Sequence, residues 1–378
     1  MEASRYRLWT KRTALLYNEV MTLTELSFYV RKYRPYGILS VLLILILFYS
    51  VQLIILILQN KPTGPAISPI FNVLKRPTIP EASSSAGIKF ALENIEGRPV
   101  TATDTARVYY LLPPPRTTFG FRQKAYLMAK TLNFETDTVS FILQGRNAVF
   151  SDATKKLSID IQNFNFNFQF SFADQPGLFD KAVTPSEQNA QAQAVAFLQS
   201  LDTYPEELAK GKTNAIFFNF NPQSKTIKPI NKGEDANLVE IDFSRADIDG
   251  FPTVSPSFFN SQNFVLMAFF NDGTFQVLRS QVKFFEKSLE QFGVYPLRTG
   301  DEAYVDLQQG EGIVISNPQK RKDVIIRTMF LAYFDPDEYQ DYLQPVYVFV
   351  GDDNFVAYVP AVTKQYIARP GEKPSPSQ

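Results

Sequence analysis

The chain has 378 residues, contains no cysteine and no histidine, and balances 38 Lys and Arg against 38 Asp and Glu. Without cysteine it has no disulfide framework and no thiol nucleophile, which is typical of a bacterial envelope protein rather than of an animal secreted one. Without histidine, Ser-His-Asp triads and His-ligated zinc hydrolases are excluded. The 34 Phe and 18 Tyr favour strands and sheet faces.

Residues 1–35 are predicted to form a basic, amphipathic helical arm. Apolar side chains recur near helical spacing between Thr10 and Tyr33, and Thr22 and Glu25 have the spacing of a capping box. The arm has two interpretations, a helix lying on anionic lipid and a docking helix for a cytoplasmic partner. The sequence leaves both open.

A transmembrane helix is predicted for residues 36–60, where no side chain carries a charge. About 20 apolar residues are enough to cross a hydrocarbon core about 30 Å thick. A buried core helix is rarely apolar all round over such a length, and a signal peptide has a shorter apolar core with a small-residue cleavage site. Gln59-Asn60-Lys61-Pro62 is not such a site, so we expect an uncleaved single-pass anchor.

The basic residues predict the orientation of this helix. Seven Lys and Arg precede residue 36, whereas Lys61 alone follows the span before Lys75. Because Lys and Arg stay on the cytoplasmic side, we expect the amino terminus inside a bacterial cytoplasmic membrane and the C-terminal domain outside. The expected partners are membrane lipid and a membrane protein that contacts the helix and the arm. Beyond residue 36 the chain has 31 Lys and Arg against 35 Asp and Glu, which gives no reason to expect nucleic acid.

Residues 61–87 are predicted to be a stalk, because prolines recur from Pro62 to Pro80 and three serines follow. Residues 367–378, which are also proline-rich, are predicted to be a disordered tail. Between the stalk and the tail we expect tandem α+β units, with helices packed on antiparallel sheets, at residues 88–184, 185–290 and 291–366.

The first unit is predicted to contain a strand at residues 106–111, a helix at 121–132 and a hairpin that turns at 145–147. Residues 163–172 then alternate phenylalanine with polar residues, which predicts a strand with one buried and one polar face. The polar face is either a carbohydrate- or peptide-binding amide ladder or the outer side of a strand that covers the core. The second interpretation is favoured.

The middle section is predicted to contain a helix at residues 186–201 with an alanine-rich buried stripe. Its strands are expected at residues 215–220, 238–243, 264–270 and 274–284. The last two strands form a hairpin, because Asn271-Asp272-Gly273 between them is a strong turn signal.

In the last unit, Thr299 and Glu302 predict a capping box that starts a helix carrying Ala303, Val305 and Leu307, which continues to Gly310. Strands are expected at residues 323–333, 343–350 and 355–359. In the first of these strands, alternation places one set of side chains on a common face: Val324, Ile326, Thr328, Phe330 and Ala332.

Three short patterns resemble the motifs of penicillin-interacting serine enzymes: Ser280-x-x-Lys283, Ser261-x-Asn263 and Arg298-Thr299-Gly300. Their order and spacing are wrong, and Ser280 lies in a predicted strand rather than at the start of a helix. We therefore interpret the three matches as chance.

Carboxylate clusters at residues 247–249, 335–338 and 352–353 lack the spacing of a calcium loop, so turn chemistry explains them. Nothing singles out a pair of carboxylates for glycoside hydrolysis. Aromatic residues of the last sheet are expected to be divided between the core and an exposed partner surface: Tyr333, Phe334, Tyr347, Phe349 and Tyr358. We assign no catalytic, cofactor-binding or metal-ligating residue and expect no cofactor.

The closing pattern carries a resemblance to a known family. Tyr295-Pro296-Leu297 precedes a helix with Glu302-Ala303 and Gly310, a strand ends in Ala332-Tyr333-Phe334, and the next strand reads Pro345-Val346-Tyr347-Val348-Phe349. This ending resembles the C-terminal helix–strand–strand of the YycH/YycI regulatory proteins and the wider PepSY-like modules. The resemblance implies PepSY-like units and a non-enzymatic regulator that binds a cell-wall histidine kinase. The cytoplasmic arm is longer than that of the family.

Together these observations predict a bacterial single-pass membrane-anchored extracytoplasmic regulatory or binding protein that modulates a cell-envelope sensor kinase and is not an enzyme. The alternative is a non-catalytic structural component of an envelope assembly, such as a secretion, pilus or division complex. A carboxylate-dependent cell-wall hydrolase is a more remote alternative. A cell-wall component or a peptide is the expected ligand class.

Overall fold

A computed structural model describes residues 23–59, 66–80, 82–115, 119–231 and 236–368. The chain divides into two compact units, residues 1–63 and 64–378. The described residues combine helices with mainly antiparallel sheets, which confirms the predicted α+β class.

The described part of the first unit is a single helix, α1 (Leu23–Gln59). Its segment Arg31–Ile55 has a mean hydropathy of 2.8 and is the one helix of the described residues that is long and apolar enough to cross a membrane. The predicted boundary between arm and span is not a break, because α1 continues through Pro35 although proline cannot donate a helical hydrogen bond. Residues 1–22 of the predicted arm, Thr22 among them, lie outside the described residues.

In the second unit the described helices are α2 (Phe121–Thr131), α3 (Glu187–Ser200), α4 (Glu206–Ala209) and α5 (Gly300–Gln308). The described strands are β1 (Ser83–Ser84), β2 (Lys89–Leu92), β3 (Thr105–Leu111), β4 (Ile142–Gln144), β5 (Asn147–Ser151), β6 (Lys155–Asp160), β7 (Phe166–Phe170), β8 (Ala182–Val183), β9 (Thr213–Asn221), β10 (Thr226–Ile230), β11 (Leu238–Phe243), β12 (Thr253–Val254), β13 (Phe264–Phe270), β14 (Phe275–Val282), β15 (Lys287–Pro296), β16 (Ile313–Ser316), β17 (Asp323–Phe334), β18 (Tyr342–Gly351) and β19 (Val356–Pro360). Strands β11 and β13 have the predicted bounds, whereas β2, β6, β10, β15 and β16 have no predicted counterpart.

The strands form two sheets. The ten-stranded sheet has the order β10-β9-β11-β13-β14-β7-β6-β5-β4, with β8 beside β13. The nine-stranded sheet has the order β1-β16-β19-β18-β17-β12, extended by β2 beside β17 and by β3, which joins β18 to β15. All described pairs are antiparallel except β2–β17 and β12–β17.

The predicted division into three successive units differs from this arrangement. Strand β3 belongs to the nine-stranded sheet, whereas β4–β7 of the same predicted unit belong to the ten-stranded sheet. Strand β15, which the sequence did not predict, accounts for the difference because its register with β3 pairs Tyr295 with Ala106, which are half of the chain apart. Local patterns carry no information about pairing at such a separation.

The core of the ten-stranded sheet lies on the face that carries the phenylalanines of β7. Helices α2 and α3 contribute small residues to this core, among them Ala125, Ala129, Ala190 and Ala194. Small side chains let a helix approach a sheet closely, so both helices cover this one face. The opposite face of β6, β7 and β14 is left polar.

The predicted stalk is instead packed against the folded unit where the structure describes it. Leu74 is fully buried and exchanges backbone hydrogen bonds with Tyr366 and Ala368, both 2.8 Å. Ser68 pairs with Val294, and the buried Ser85 hydroxyl donates to the Leu307 carbonyl over 2.8 Å. A proline-rich segment is already extended, so docking it along a sheet loses little conformational freedom. The start of the predicted tail, through residue 368, is held in the same contact.

Strand β17 corrects the prediction that alternate residues from Val324 to Ala332 share one face. A register shift lies between Ile326 and Thr328, beyond which Met329 and Leu331 join Val324 and Ile326 in one core. A bulge inserts one residue and so exchanges the two faces of a strand. The exposed Thr328 is a consequence of this shift.

The helix starts agree with the sequence. Thr299 and Glu302 form the predicted capping box of α5, and the Ser186 hydroxyl caps α3 by accepting from Asn189 N. On α5, Ala303, Asp306 and Leu307 are buried, whereas Val305 is exposed.

Candidate ligand-binding cleft

A row of polar side chains crosses three strands of the ten-stranded sheet. Ser158 on β6 pairs with Asn167 on β7, which pairs with Gln281 on β14, so the three side chains share the face opposite to the phenylalanines. Asn167 Nδ2 donates to Gln281 Oε1 over 2.9 Å, and Gln281 Nε2 donates to the Gln262 carbonyl over 3.0 Å. These bonds hold the amides in fixed orientations.

A cleft of about 550 Å³ is lined by Ser158 and Asn167 of this row and by the segment that follows β17. The sheet contributes Asn165 and Asn167 of the alternating Asn/Phe stretch, and the segment contributes residues 337–339. The volume is in the range of small-ligand pockets, about 300–1,000 Å³. Two amides of the alternating stretch therefore lie in one wall of a cleft, as the less favoured interpretation of that stretch as a binding ladder would require. The strand itself, β7, is shorter than the predicted 163–172.

Two ion pairs line the cleft. Arg146 Nε lies 2.8 Å from Asp160 Oδ2, and Lys283 Nζ lies 3.1 Å from Asp337 Oδ2. Asp160 is oriented further by the Gln162 backbone N–H, which donates to its other carboxylate oxygen over 2.9 Å. Each pair combines opposite charges, so the cleft offers donors and acceptors without a strong net charge.

Aromatic rings complete the lining. The rings of Phe285 and Tyr339 meet edge to face with centroids 5.8 Å apart, and the Tyr339 hydroxyl donates to the Leu111 carbonyl over 3.1 Å. Burial raises the pKa of Tyr339, so its hydroxyl is a neutral donor at physiological pH. Apolar rings beside fixed amides are a common composition of ligand pockets.

Arg245, just after β11, fixes the two walls relative to each other. Its guanidinium is fully buried and binds Asp335 Oδ1 at 2.9 Å, Glu207 Oε2 at 2.5 Å and the Phe285 carbonyl at 2.6 Å. The ring of Phe284 lies 4.1 Å from the guanidinium. Since Asp335 follows β17 of the nine-stranded sheet, this cluster ties the cleft segment to the ten-stranded sheet.

The serine-enzyme patterns do not come together as a site. Ser280 is fully buried in β14 and donates to the Phe264 carbonyl over 3.0 Å, while Lys283 lines the cleft in its ion pair. Asn263 accepts from the Lys283 backbone, and Thr299 caps α5. All of these contacts are structural.

The carboxylate clusters are occupied by basic or hydroxyl partners. Asp335 binds Arg245, Asp352 binds Arg327 at 2.8 Å, and Asp249 accepts from the hydroxyls of Tyr109 and Tyr333. Within the described part of the chain no group of three or more His, Cys, Asp and Glu side chains is placed to hold a metal ion.

The proposed aromatic partner surface on the last sheet is not present. All five of its residues are buried, three of them with hydroxyls that donate to carbonyls: Tyr333, Phe334, Tyr347, Phe349 and Tyr358. Strands β17, β18 and β19 are covered on both faces, so aromatic alternation there reflects core rather than interface.

Several cleft residues had no signal in the sequence. Arg146 was predicted only as a turn residue, and Asp160 ends a strand without a predicted counterpart. Phe285 and Tyr339 lie far apart along the chain. Only the register of the sheet and the contact between its walls bring these side chains to one place.

Comparisons with known proteins do not identify the chain. No family model and no curated protein matches it. Among solved structures, an uncharacterized protein from Eubacterium rectale ATCC 33656 is similar at 14% identity with a TM-score of 0.34, over 73% of this chain and 89% of the other.

Proposed function

We propose that this protein is a membrane-anchored extracytoplasmic binding protein whose cleft takes an uncharged polar ligand, with the saccharide chains of the cell wall as the ligand class. The observation that carries the proposal is one cleft that combines the fixed amides of Asn165 and Asn167 with two ion pairs and two aromatic rings. Sugar hydroxyls both donate and accept, so amides and paired charges suit them, and the electron-rich face of an aromatic ring suits their C–H groups. The cleft residues have binding roles rather than catalytic ones.

The test of the cleft compares two substitutions on β7. Asn167 lines the cleft, whereas Gln169 lies on the same face of the same strand and does not line it. In the full chain in detergent, Asn167→Ala is expected to weaken binding of soluble peptidoglycan glycan fragments at least tenfold, and Gln169→Ala to leave it unchanged. Calorimetry measures both. Equal affinities for the two variants contradict the proposal.

The anchoring and the orientation are proposed from α1 and the basic residues before it. Because the chain has no cysteine, single introduced cysteines report on each side of the membrane without background. Glu96→Cys, at an exposed position of the second unit, is expected to react with a membrane-impermeant maleimide in intact cells, and Ser4→Cys only after permeabilisation. The reverse pattern contradicts the orientation.

We further propose that the protein regulates a membrane partner, with a cell-envelope sensor kinase as the partner class. The ending that resembles YycH/YycI regulatory proteins and PepSY-like modules supports this role, together with the basic residues before the apolar helix. Deletion of residues 1–35 is expected to abolish co-purification of the kinase, whereas Asn167→Ala retains it. Unchanged co-purification of the deleted chain contradicts this role.

A second candidate function, a structural component of an envelope assembly, is favoured by one sheet edge. Edge strand β10 carries Lys228 and Pro229, which oppose strand addition, whereas edge strand β4 exposes Ile142 and Leu143 and has no charge. Light scattering of the full chain in detergent distinguishes the two functions. A discrete oligomer that Leu143→Lys reduces to a monomer supports an assembly component, and a monomeric wild type contradicts it.

A further inference from the structure

A second, smaller pocket of about 90 Å³ is lined by Asp242 on β11, by most of the loop from residue 253 to 262, and by Asn214, Ser244, Arg245 and Asp335. It shares no lining residue with the cleft. Its volume corresponds to about three water molecules at about 30 Å³ each, so it is too small for a saccharide or a peptide. The pocket has room for a small ion or for the end of one side chain.

Asp242 brings a buried carboxylate to this pocket. The residue is 3% exposed, and its Oδ2 accepts from the Ser261 backbone N–H over 3.0 Å. Its Oδ1 has no hydrogen-bond partner, and the carboxylate has no ion pair, among the described residues. Burial raises the pKa of Asp242 to about 6, so the group is still anionic at neutral pH.

Gln262 brings a second oxygen to the pocket. It is 6% exposed, and its Nε2 donates to Asp335 Oδ2 over 3.0 Å. Because an ionised carboxylate only accepts, the amide nitrogen must face Asp335 and Oε1 must point away from it. Oε1 has no hydrogen-bond partner among the described residues.

The charges around the pocket leave a single negative charge without compensation. Arg245 binds Asp335 and Glu207, and Lys287 binds Glu207 at 2.6 Å, so these four groups balance one another. Asp242 stands outside this balance. A divalent ion such as calcium takes six to eight oxygen ligands and usually more than one carboxylate, a set that the described residues do not offer.

We propose that the pocket binds a monovalent cation, with Asp242 Oδ1 and Gln262 Oε1 as its anionic and neutral oxygen ligands. The cation is either a metal ion such as Na⁺ or K⁺ or a primary ammonium group. This proposal does not rest on the function proposed for the cleft, with which the pocket shares no lining residue. Oxygen atoms are the ligands that hard cations prefer. For an ammonium group, the rings of Phe258 and Phe259 in the lining add cation–π attraction.

The experiment measures thermal unfolding of the full chain in detergent with NaCl, KCl, methylammonium chloride or tetramethylammonium chloride at equal ionic strength. The first three salts are expected to raise the midpoint saturably above that in tetramethylammonium chloride, whose cation is too large for the pocket. A higher midpoint in NaCl or KCl identifies the ligand as a metal ion. A higher midpoint in methylammonium chloride alone identifies the ligand as an ammonium group. Equal midpoints in all four salts overturn the proposal.

Asp242→Asn keeps the shape of the side chain, removes its charge and is expected to weaken the apparent cation affinity at least tenfold. The matched control is Glu240→Gln, which neutralises a carboxylate two residues away on the same strand that does not line the pocket. A salt response retained in Asp242→Asn overturns the proposal. If that variant does not fold, anomalous diffraction from crystals of the unaltered protein soaked in Tl⁺ decides, since absence of a peak between Asp242 and Gln262 also overturns it.

Discussion

At the scale of single residues, the ten-stranded sheet alters the chemistry of carboxylates that the sequence shows as ordinary. Glu240 lies on the polar face of β11, where burial, and secondarily the neighbouring Asp242, raise its pKa to about 7. Arg279 acts in the opposite direction. The alternation of β11 shows which face Glu240 shares, but not how much of that face the neighbouring strands cover.

The raised pKa of Glu240 predicts a pH dependence of stability. The folded state holds this proton more tightly than the unfolded state, so the free energy of unfolding falls as pH rises from about 4.5 to about 7. Glu240→Gln removes this loss and is expected to raise the free energy of unfolding at pH 8 by on the order of 2 kcal/mol, since one pKa unit is about 1.4 kcal/mol and the amide is also buried. Urea unfolding at pH 4.5 and pH 8 measures the difference.

The control for this prediction is Glu290→Gln, at an exposed position of β15. It is expected to change stability at neither pH by more than about 0.5 kcal/mol. A Glu240→Gln variant that is no more stable than wild type at pH 8 contradicts the conclusion that burial destabilises the ionised form of Glu240.

At the scale of elements, the capping box starts α5 where the sequence indicated. Close backbone contacts and a register shift are features that the sequence did not indicate. The capping box at Thr299 and Glu302 is local, with both bonds spanning three residues. The helix that follows depends on a contact that is not local, because a Cβ on Gly300 would collide with the backbone of Val100. The register shift in β17 is likewise imposed by its partner β18.

Thr299→Ala tests the cap of α5. It removes the acceptor for the Glu302 N–H and is expected to lower the free energy of unfolding by about 1 kcal/mol. Val305→Ala on the exposed side of the same helix is the control and is expected to change stability by less than about 0.5 kcal/mol. Chemical unfolding of both variants is the measurement, and a larger loss for Val305→Ala contradicts the outward orientation of that residue.

At the scale of the second unit, the two sheets are joined by side chains rather than by a continuous strand ladder. Arg245, which follows β11, contacts residues that follow β14 and β17, and so connects both sheets in one buried cluster. Strand β15 follows β14 directly along the chain but pairs in the other sheet with β3. These contacts explain why residues 64–378 form one compact unit rather than three in succession.

Arg245→Ala leaves Asp335 and Glu207 without their buried partner. It is expected to lower the free energy of unfolding by about 3–5 kcal/mol, because breaking one side of a buried ion pair leaves an uncompensated charge. The control Lys212→Ala removes an exposed pair with Asp247 and is expected to change stability by less than about 1 kcal/mol. Similar losses in both variants, measured by urea unfolding, contradict the role of Arg245 as the connection between sheets.

The sequence by itself determined the features that depend on neighbouring residues. It located the apolar helix, the cap at Thr299, the helix that starts after Ser186, the hairpin at Asn271-Asp272-Gly273 and the two faces of the Asn/Phe strand, because helix period, strand period and turn chemistry are all local.

Only the tertiary structure decided which sheet each strand joins, that the proline-rich segment docks, and that Asn167, Arg146 and Tyr339 line one cleft. The physical reason is that strand pairing and the burial of side chains between sheets depend on residues far apart along the chain. A periodic pattern shows which face of a strand is polar, but it does not show what that face meets.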